Sequence, residues 1–172
     1  MSFSKKLGAS YEQVKEQAKL KKLNINVGDV SFNLKVRVPL KKEMEDMTVA
    51  ISTPTDEKIQ NLFVKLSEPI YKSIKDGGDE FLKAINSDKE TIKVLEDDII
   101  LDGTSIKQIA NLSAMWETKV EKYFHLLQSE TGEPINESFD DISSEFPELV
   151  IKQIVEEIEN TIRPNYNTAK KN

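Results

Sequence analysis

Three features of the 172-residue sequence predict a mainly α-helical chain with a small N-terminal β-hairpin, an α+β fold built around a compact multi-helix body. From Leu23 to Val38, apolar residues alternate with polar ones on both sides of Gly28-Asp29, the period of a half-buried strand. Beyond Pro39 the apolar residues recur every three or four positions, the period of a helix face. Glycine, proline and capping residues then divide that second region into helix-length pieces. Hydrophobic residues make up 38% and charged residues 31% of the chain. That is enough apolar material for one core and too much for a disordered chain.

Taken in order, Ser10-Tyr11-Glu12-Gln13 has capping-box spacing, with Ser10 as the cap of a short basic helix ending near Lys21. Val14, Ala18 and Leu20 give that helix only a weak apolar face. In the hairpin, the two-residue Gly28-Asp29 loop sets Val27 opposite Val30, Ile25 opposite Phe32 and Leu23 opposite Leu34. This register collects the apolar side chains on one face, and Pro39 closes the second strand. An isolated hairpin is unstable in water, so this one must lie on the helical body or on another chain.

A short helix is expected over Leu40–Ala50. Thr53 and Pro54 then read as cap and first-turn proline of an amphipathic helix carrying Ile59, Leu62, Phe63, Leu66, Ile70 and Ile74. Pro69 predicts a kink or break near Leu66, and Asp76-Gly77-Gly78 a stop. A short helix with Phe81, Leu82 and Ile85 follows, then one over Thr91–Leu101 behind the box Ser87–Glu90. Thr104 is expected to cap the longest helix, about Ser105 to Gln128. Its stripe is Ile106, Ile109, Leu112, Trp116, Val120, Tyr123, Phe124 and Leu127, with Trp116 a core anchor. The last helix starts near Phe146-Pro147-Glu148, carries Leu149, Val150, Ile154, Val155, Ile158 and Ile162, and ends at Arg163-Pro164. The organisation is therefore a basic segment with a short helix at 1–21, the hairpin at 22–39, and a helical body at 40–163. An acidic connector occupies 130–145, and 164–172 is a flexible polar tail.

Charge is unevenly placed. Residues 1–42 hold 10 Lys and Arg against 3 Asp and Glu, and the remainder 14 against 27. Residues 130–162 alone carry 10 acids and one base. A basic head and an acidic tail attract one another within or between protomers, so self-association is an expectation, beside the plainer reading of solvated faces. The formal net charge of −6 argues against nucleic acid as partner. The longest uninterrupted apolar stretches are three residues, as at Ile99-Ile100-Leu101, which predicts no membrane partner. With no secretory h-region near Met1, the expectation is a soluble intracellular protein, and the sequons at Asn111 and Asn136 are chance.

Chemistry is sparse. Cysteine is absent, which removes disulfides, thiol nucleophiles and Cys metal sites, and the single histidine removes any site that needs two. His125 could serve as a base oriented by Glu121 at i−4, but a partly exposed histidine favoured by a helix C-terminus is the simpler account. Asp97-Asp98, Asp140-Asp141 and Glu156-Glu157 are adjacent pairs, whose side chains diverge by about 100° on a helix and do not converge on one ion. Gly77-Gly78 lacks the lysine and spacing of a phosphate loop. No catalytic residue, cofactor or metal is expected. What remains is adhesive surface, suited to strand addition or helix-in-groove binding.

Three stretches carry a resemblance. The hairpin runs into Phe32-Asn33-Leu34-Lys35-Val36-Arg37-Val38-Pro39 and a charged helix. A helical body ends in Glu145-Phe146-Pro147-Glu148-Leu149-Val150. The chain closes on Ala169-Lys170-Lys171-Asn172. In this layout the sequence resembles tail assembly chaperones of long-tailed bacteriophages. The resemblance implies a non-catalytic protein of the infected host cytoplasm that binds the tape-measure protein, helps recruit the tail tube protein, and is absent from the finished particle. Members of that family are often made in two lengths through a ribosomal frameshift near the end of the short form, and the Lys170-Lys171-Asn172 ending is compatible with an A-rich slippery stretch. Phe32, Leu34 and Val36 on the hairpin and Leu149, Ile154 and Ile158 on the last helix are the expected protein-binding residues, with intramolecular core as the alternative for each. Two other readings stay open: a structural tail-completion or connector protein of a virion, and an intracellular protein-binding module.

Overall fold

The computed structural model describes residues 3–163, apart from the side chains of Ser4, Ala9, Ser10, Glu12 and Lys15. The chain runs α1 (Phe3–Lys6), α2 (Ala9–Ala18), β1 (Leu20–Val27), β2 (Val30–Arg37), α3 (Lys41–Ser52), α4 (Asp56–Ile85), β3 (Ile92–Val94), β4 (Ile99–Leu101), β5 (Thr104–Ser105), α5 (Ile106–Phe124), α6 (Phe139–Glu145) and α7 (Glu148–Ile162). It is mainly α with a two-stranded antiparallel sheet near the N-terminus and a small three-stranded sheet. Two compact units result, one from the described residues up to 48 together with those from 119, the other from 49–118.

In the first unit the hairpin has the expected register, Val27↔Val30, Ile25↔Phe32 and Leu23↔Leu34, and extends to Leu20↔Arg37. Gly28 has φ 58 and Asp29 is not left-handed, so the turn is of the II′ kind, which matches strand twist. The apolar face is covered by α7. Leu23, Ile25, Val36, Ile151, Ile154 and Ile158 form the most enclosed part of the core. Val120, Tyr123, Phe124 and Leu126 add to the unit's buried residues. Arg163 closes α7 by donating from Nη2 to Thr48 Oγ1 at 2.6 Å.

The N-terminal helix departs from expectation. It begins after Gly8, which has φ 95 and makes no side-chain cap bond, and ends at Ala18 rather than near Lys21. Ser10 is therefore not its cap, and the Ser10 side chain lies outside the described residues, as does the 164–172 tail. Lys19 accepts at its carbonyl from Val38 N–H at 2.7 Å, and that strand pairing draws the following residues out of the helix.

In the second unit the cap of α4 is Thr55, whose hydroxyl accepts from Lys58 N–H, with Pro54 preceding it. Helical geometry continues through Pro69, contrary to the expected break near Leu66. Pro69 and Lys65 are exposed, so the carbonyl freed by the missing N–H faces water. The interruption falls instead at Gly78, with φ 60 and ψ −161, a conformation nearly confined to glycine. A Cβ at Gly77 would stand 2.3 Å from Phe81 Cβ.

Thr91–Leu101 is not a helix. β3 and β4 pair antiparallel, with β5 beside β4. Ile92, Val94, Ile99 and Ile100 are β-branched, and short apolar runs of this kind fit either class until side chains fix the backbone. Asn86 does so here: its Oδ1 accepts from Thr91 and Ile92 N–H, and its Nδ2 donates to Ile92 O, all at 2.8–2.9 Å. Asp98 does the same beyond the turn, accepting from Ile99 N–H, Lys107 N–H and Ser105 Oγ. Ser105, not Thr104, is the cap of α5, accepting from Gln108 N–H at 3.0 Å.

Ile92 and Ile99 thereby join Phe63, Ile106 and Ala110 in this unit's core, flanked by Ile59, Leu62, Ile70, Ile74, Phe81, Leu82 and Ile85. On α5 the buried positions include Ala110 and Ala114, whereas Leu112 is exposed and Trp116 half-buried. Ile106, Val120, Tyr123 and Phe124 of the expected stripe are buried, and in the middle of the helix the inward positions are taken by Ala110 and Ala114 in place of Leu112 and Trp116.

Three substitutions test these assignments by urea denaturation. Ile158→Ala, at a site with no exposure, is expected to cost about 2–5 kcal/mol. Gly78→Ala is expected to cost about 1–3 kcal/mol through strain at its positive φ. Asp98→Ala, which orphans backbone donors at the β4–α5 corner, is expected to cost about 1–3 kcal/mol; an unchanged midpoint would remove Asp98 from that role.

Candidate functional site

Helix α5 ends at Phe124, four residues short of the expected Gln128. The next residues turn and run beside β2: Arg37 N–H donates to Leu126 O at 2.8 Å, and Gln128 N–H to Lys35 O at 2.9 Å. Val36 and Leu127 form an antiparallel bridge between them. The outer edge of β2 is thus partly closed by the chain itself, because the backbone groups of Lys35 and Arg37 would otherwise lack partners.

The segment 130–145, expected as a connector, contains α6. Ser138 and Asp141 make a reciprocal capping box, and Glu121 on α5 accepts from Phe139 N–H at 2.9 Å. Phe139, Ile142 and Phe146 share helical spacing, and the Phe146 ring meets Phe124 edge-on at 6.3 Å between centroids. These attachments hold α6 and its approach loop at a distance from β2, and a groove opens between them.

The groove has a volume of about 350 Å³. Phe124, Ile142 and Ile154 form its buried floor, while Phe32, Leu34, Leu127, Ile135 and Phe146 are half-buried walls. Four carboxylates, Glu130, Glu137, Asp141 and Glu145, with Gln128 and Ser129, complete the lining, and no Lys or Arg is among its residues. Such a surface binds by excluding water from hydrocarbon and by attracting positive charge at the mouth.

Of the residues expected to bind protein, Phe32, Leu34 and Ile154 come together here. Ile154 contributes as floor, at 1% exposure, and Val36 and Ile158, at 0%, are core positions of this unit. Leu149 is 76% exposed and does not line the groove; at 100° per residue it falls off the stripe that Val150, Ile151, Ile154 and Ile158 form. Phe124, Leu127, Ile135, Ile142 and Phe146 were not anticipated. The Ser138-to-Asp141 spacing and the 139, 142, 146 period could have indicated α6. Nothing local could have indicated the pairing of 126–128 with β2.

A second cavity, about 520 Å³, is lined by Arg37, Leu40, Lys42, Glu43, Asp46, Met47, Lys122, His125 and Leu126. Arg37 and Glu43 engage one another: Arg37 Nη1 donates to Glu43 Oε2 at 2.8 Å, and Nη2 to the other oxygen, a bidentate pair. The hydrogen bonds from Arg37 hold Glu43 below the usual carboxylate range, and the same contact raises Arg37. A ring nitrogen of His125 lies 3.2 Å from Glu137 O. Elsewhere in the unit, burial pushes Glu159 up, but hydrogen bonds from Lys119 at 2.8 Å and Tyr123, with the Lys119 charge, hold it below its ordinary value. Burial, reinforced by Glu159, pushes the Tyr123 phenol up to about 12. Among the described residues no group of three or more His, Cys, Asp or Glu could hold a metal ion, and no helix is long and apolar enough to cross a membrane.

Comparison with protein-family models, curated proteins and solved structures finds nothing that matches the chain.

The shifted groups give signed pH dependences. Glu43 and Glu159 titrate below their unfolded values, so the stability they supply is complete above the unfolded carboxylate value of about 4.3. It is lost as pH falls through the lower folded values. Tyr123 is raised, so its contribution is complete below about 10 and is lost as pH climbs towards about 12. Urea midpoints across both ranges, with Tyr123→Phe expected to abolish the alkaline decline, test these assignments.

Proposed function

We propose that this chain is a non-catalytic protein-binding protein whose groove receives an apolar helical segment bearing basic residues. The observation that carries the reading is the combination of hydrocarbon walls from Phe32, Leu34, Leu127, Ile135 and Phe146 with charged lining residues that are all carboxylates. Helix-in-groove recognition needs an apolar trough for anchors spaced three or four residues apart. A charged mouth adds rate and orientation without making release slow. In the finer form of the proposal the chain is a tail assembly chaperone. The client is then the long, helical tape-measure protein, whose apolar faces need reversible cover while tail tube protein assembles around it.

The test is binding of labelled amphipathic helical peptides with basic flanks, followed by fluorescence anisotropy. Ile135→Asp, a loop substitution at a half-buried wall position, is expected to weaken binding about tenfold or more, ~1.4 kcal/mol, with little change in melting temperature. Co-expression with a tape-measure protein is expected to keep that protein soluble only when the groove is intact. Equal affinity for apolar peptides with acidic flanks, or indifference to Ile135→Asp, would overturn the assignment of the groove.

A further inference from the structure

We propose that the groove also takes the N-terminal arm, α1 and α2, of a second copy of this chain, so that copies associate head to tail. The proposal rests on the reading of the groove as a protein-binding surface and names this chain itself as an occupant.

The arm has the composition that the groove selects. Phe3 on α1, Leu7 in the turn before Gly8, and Tyr11 and Val14 on α2 are 46–74% exposed. Within α1 and α2 the chain carries Lys5, Lys6 and Lys15 against Glu12 and Glu16, and Lys19, Lys21 and Lys22 follow at the junction with β1. A short basic helix with an uncovered apolar edge is marginal alone and gains order on docking. Against it stand hydrocarbon walls and four carboxylates with no cation among them. The two surfaces therefore match in both polarity and sign. In the structure the arm leaves its own groove unfilled: the described α1 and α2 side chains are exposed, and the arm is tied at Lys19 to Val38, at the end of the hairpin opposite the turn. An arm of one copy in the groove of the next is a heterologous contact, which closes reciprocally or propagates into a chain of copies. Client and arm would compete for one site, so copies would exchange a neighbour's arm for client during loading.

The experiment is sedimentation equilibrium of the full chain without client over rising concentration, with two charge-reversed variants at exposed positions. One carries Lys5→Glu and Lys6→Glu in the arm, the other Glu130→Lys and Glu145→Lys at the groove mouth, each checked for folding by circular dichroism. The wild-type chain is expected to exceed its monomer mass of 19.6 kDa as concentration rises, and to return to it in high salt. Each variant alone is expected to associate far more weakly than the wild type, since the first removes the lysine excess of the arm and the second leaves the groove with two lysines against two carboxylates. An equimolar mixture of the two is expected to associate more strongly than either alone, because the unchanged arm of one variant then meets the unchanged groove of the other. A wild-type chain that is monomeric throughout, association insensitive to both reversals, or a mixture that stays monomeric would overturn the proposal. Peptide binding that survives alongside a strictly monomeric chain would leave the function of the groove intact and remove only self-docking. Association that persists without peptide binding would remove the client instead.

Discussion

Helix α7 covers the apolar face of the β1–β2 hairpin, and the rest of the larger unit is arranged around that contact. A pair of strands has no second sheet to pack against and does not persist alone in water. Here Leu23, Ile25 and Val36 from the strands and Ile151, Ile154 and Ile158 from α7 are each at most 2% exposed. Full burial of such a side chain is worth about 1.5–3 kcal/mol. A hydrogen bond of the strand ladder contributes about 1 kcal/mol net. Packing on α7 therefore dominates the hairpin's stability, and backbone pairing sets its register.

The second constraint is the exposed edge of β2. Lys35 and Arg37 direct their backbone groups away from β1, and Leu126–Gln128 satisfies them. To supply that partner, α5 stops at Phe124. The detour sends residues 129–138 around the outside before α6 returns to the body through the Ser138–Asp141 box and Glu121. The groove is a consequence of this path. It exists because the same turn that repairs the strand edge also holds α6 and Phe146 apart from Phe32 and Leu34. Binding surface and edge repair are thus one structural event, with the loop that lines part of the groove anchored at both ends to packed elements.

The smaller unit is organised by a different device. Two side chains, Asn86 and Asp98, each bond several backbone groups of a turn, and this makes a three-stranded sheet from segments only two or three residues long. Ladders so short contribute little by themselves. The side-chain anchors and the burial of Ile92 and Ile99 against α4 and α5 hold them in place. The break in α4 at Gly78 and the close approach of Phe81 to Gly77 bring Phe81, Leu82 and Ile85 back onto the same core.

What the sequence determined by itself was whatever depends on neighbours within a few residues. The hairpin register follows from strict alternation around Gly28-Asp29. The presence of α3, α4, α5 and α7 follows from their apolar period, and the membership of Phe32, Leu34 and Ile154 in the buried face follows from the same patterns. Tertiary structure decided the rest. Ile92–Val94 and Ile99–Leu101 are strands because Asn86, outside the segment, captures the backbone of Thr91 and Ile92, and Asp98, within it, ties Ile99 to Ser105 and Lys107. No local propensity reports such bonds. Pro69 leaves α4 unbroken because its side of the helix faces water. Ile158 and Val36 are core and Leu149 is surface because α7 and the hairpin meet along one particular line. The groove itself needs four separated stretches to converge, and only the folded chain brings them together.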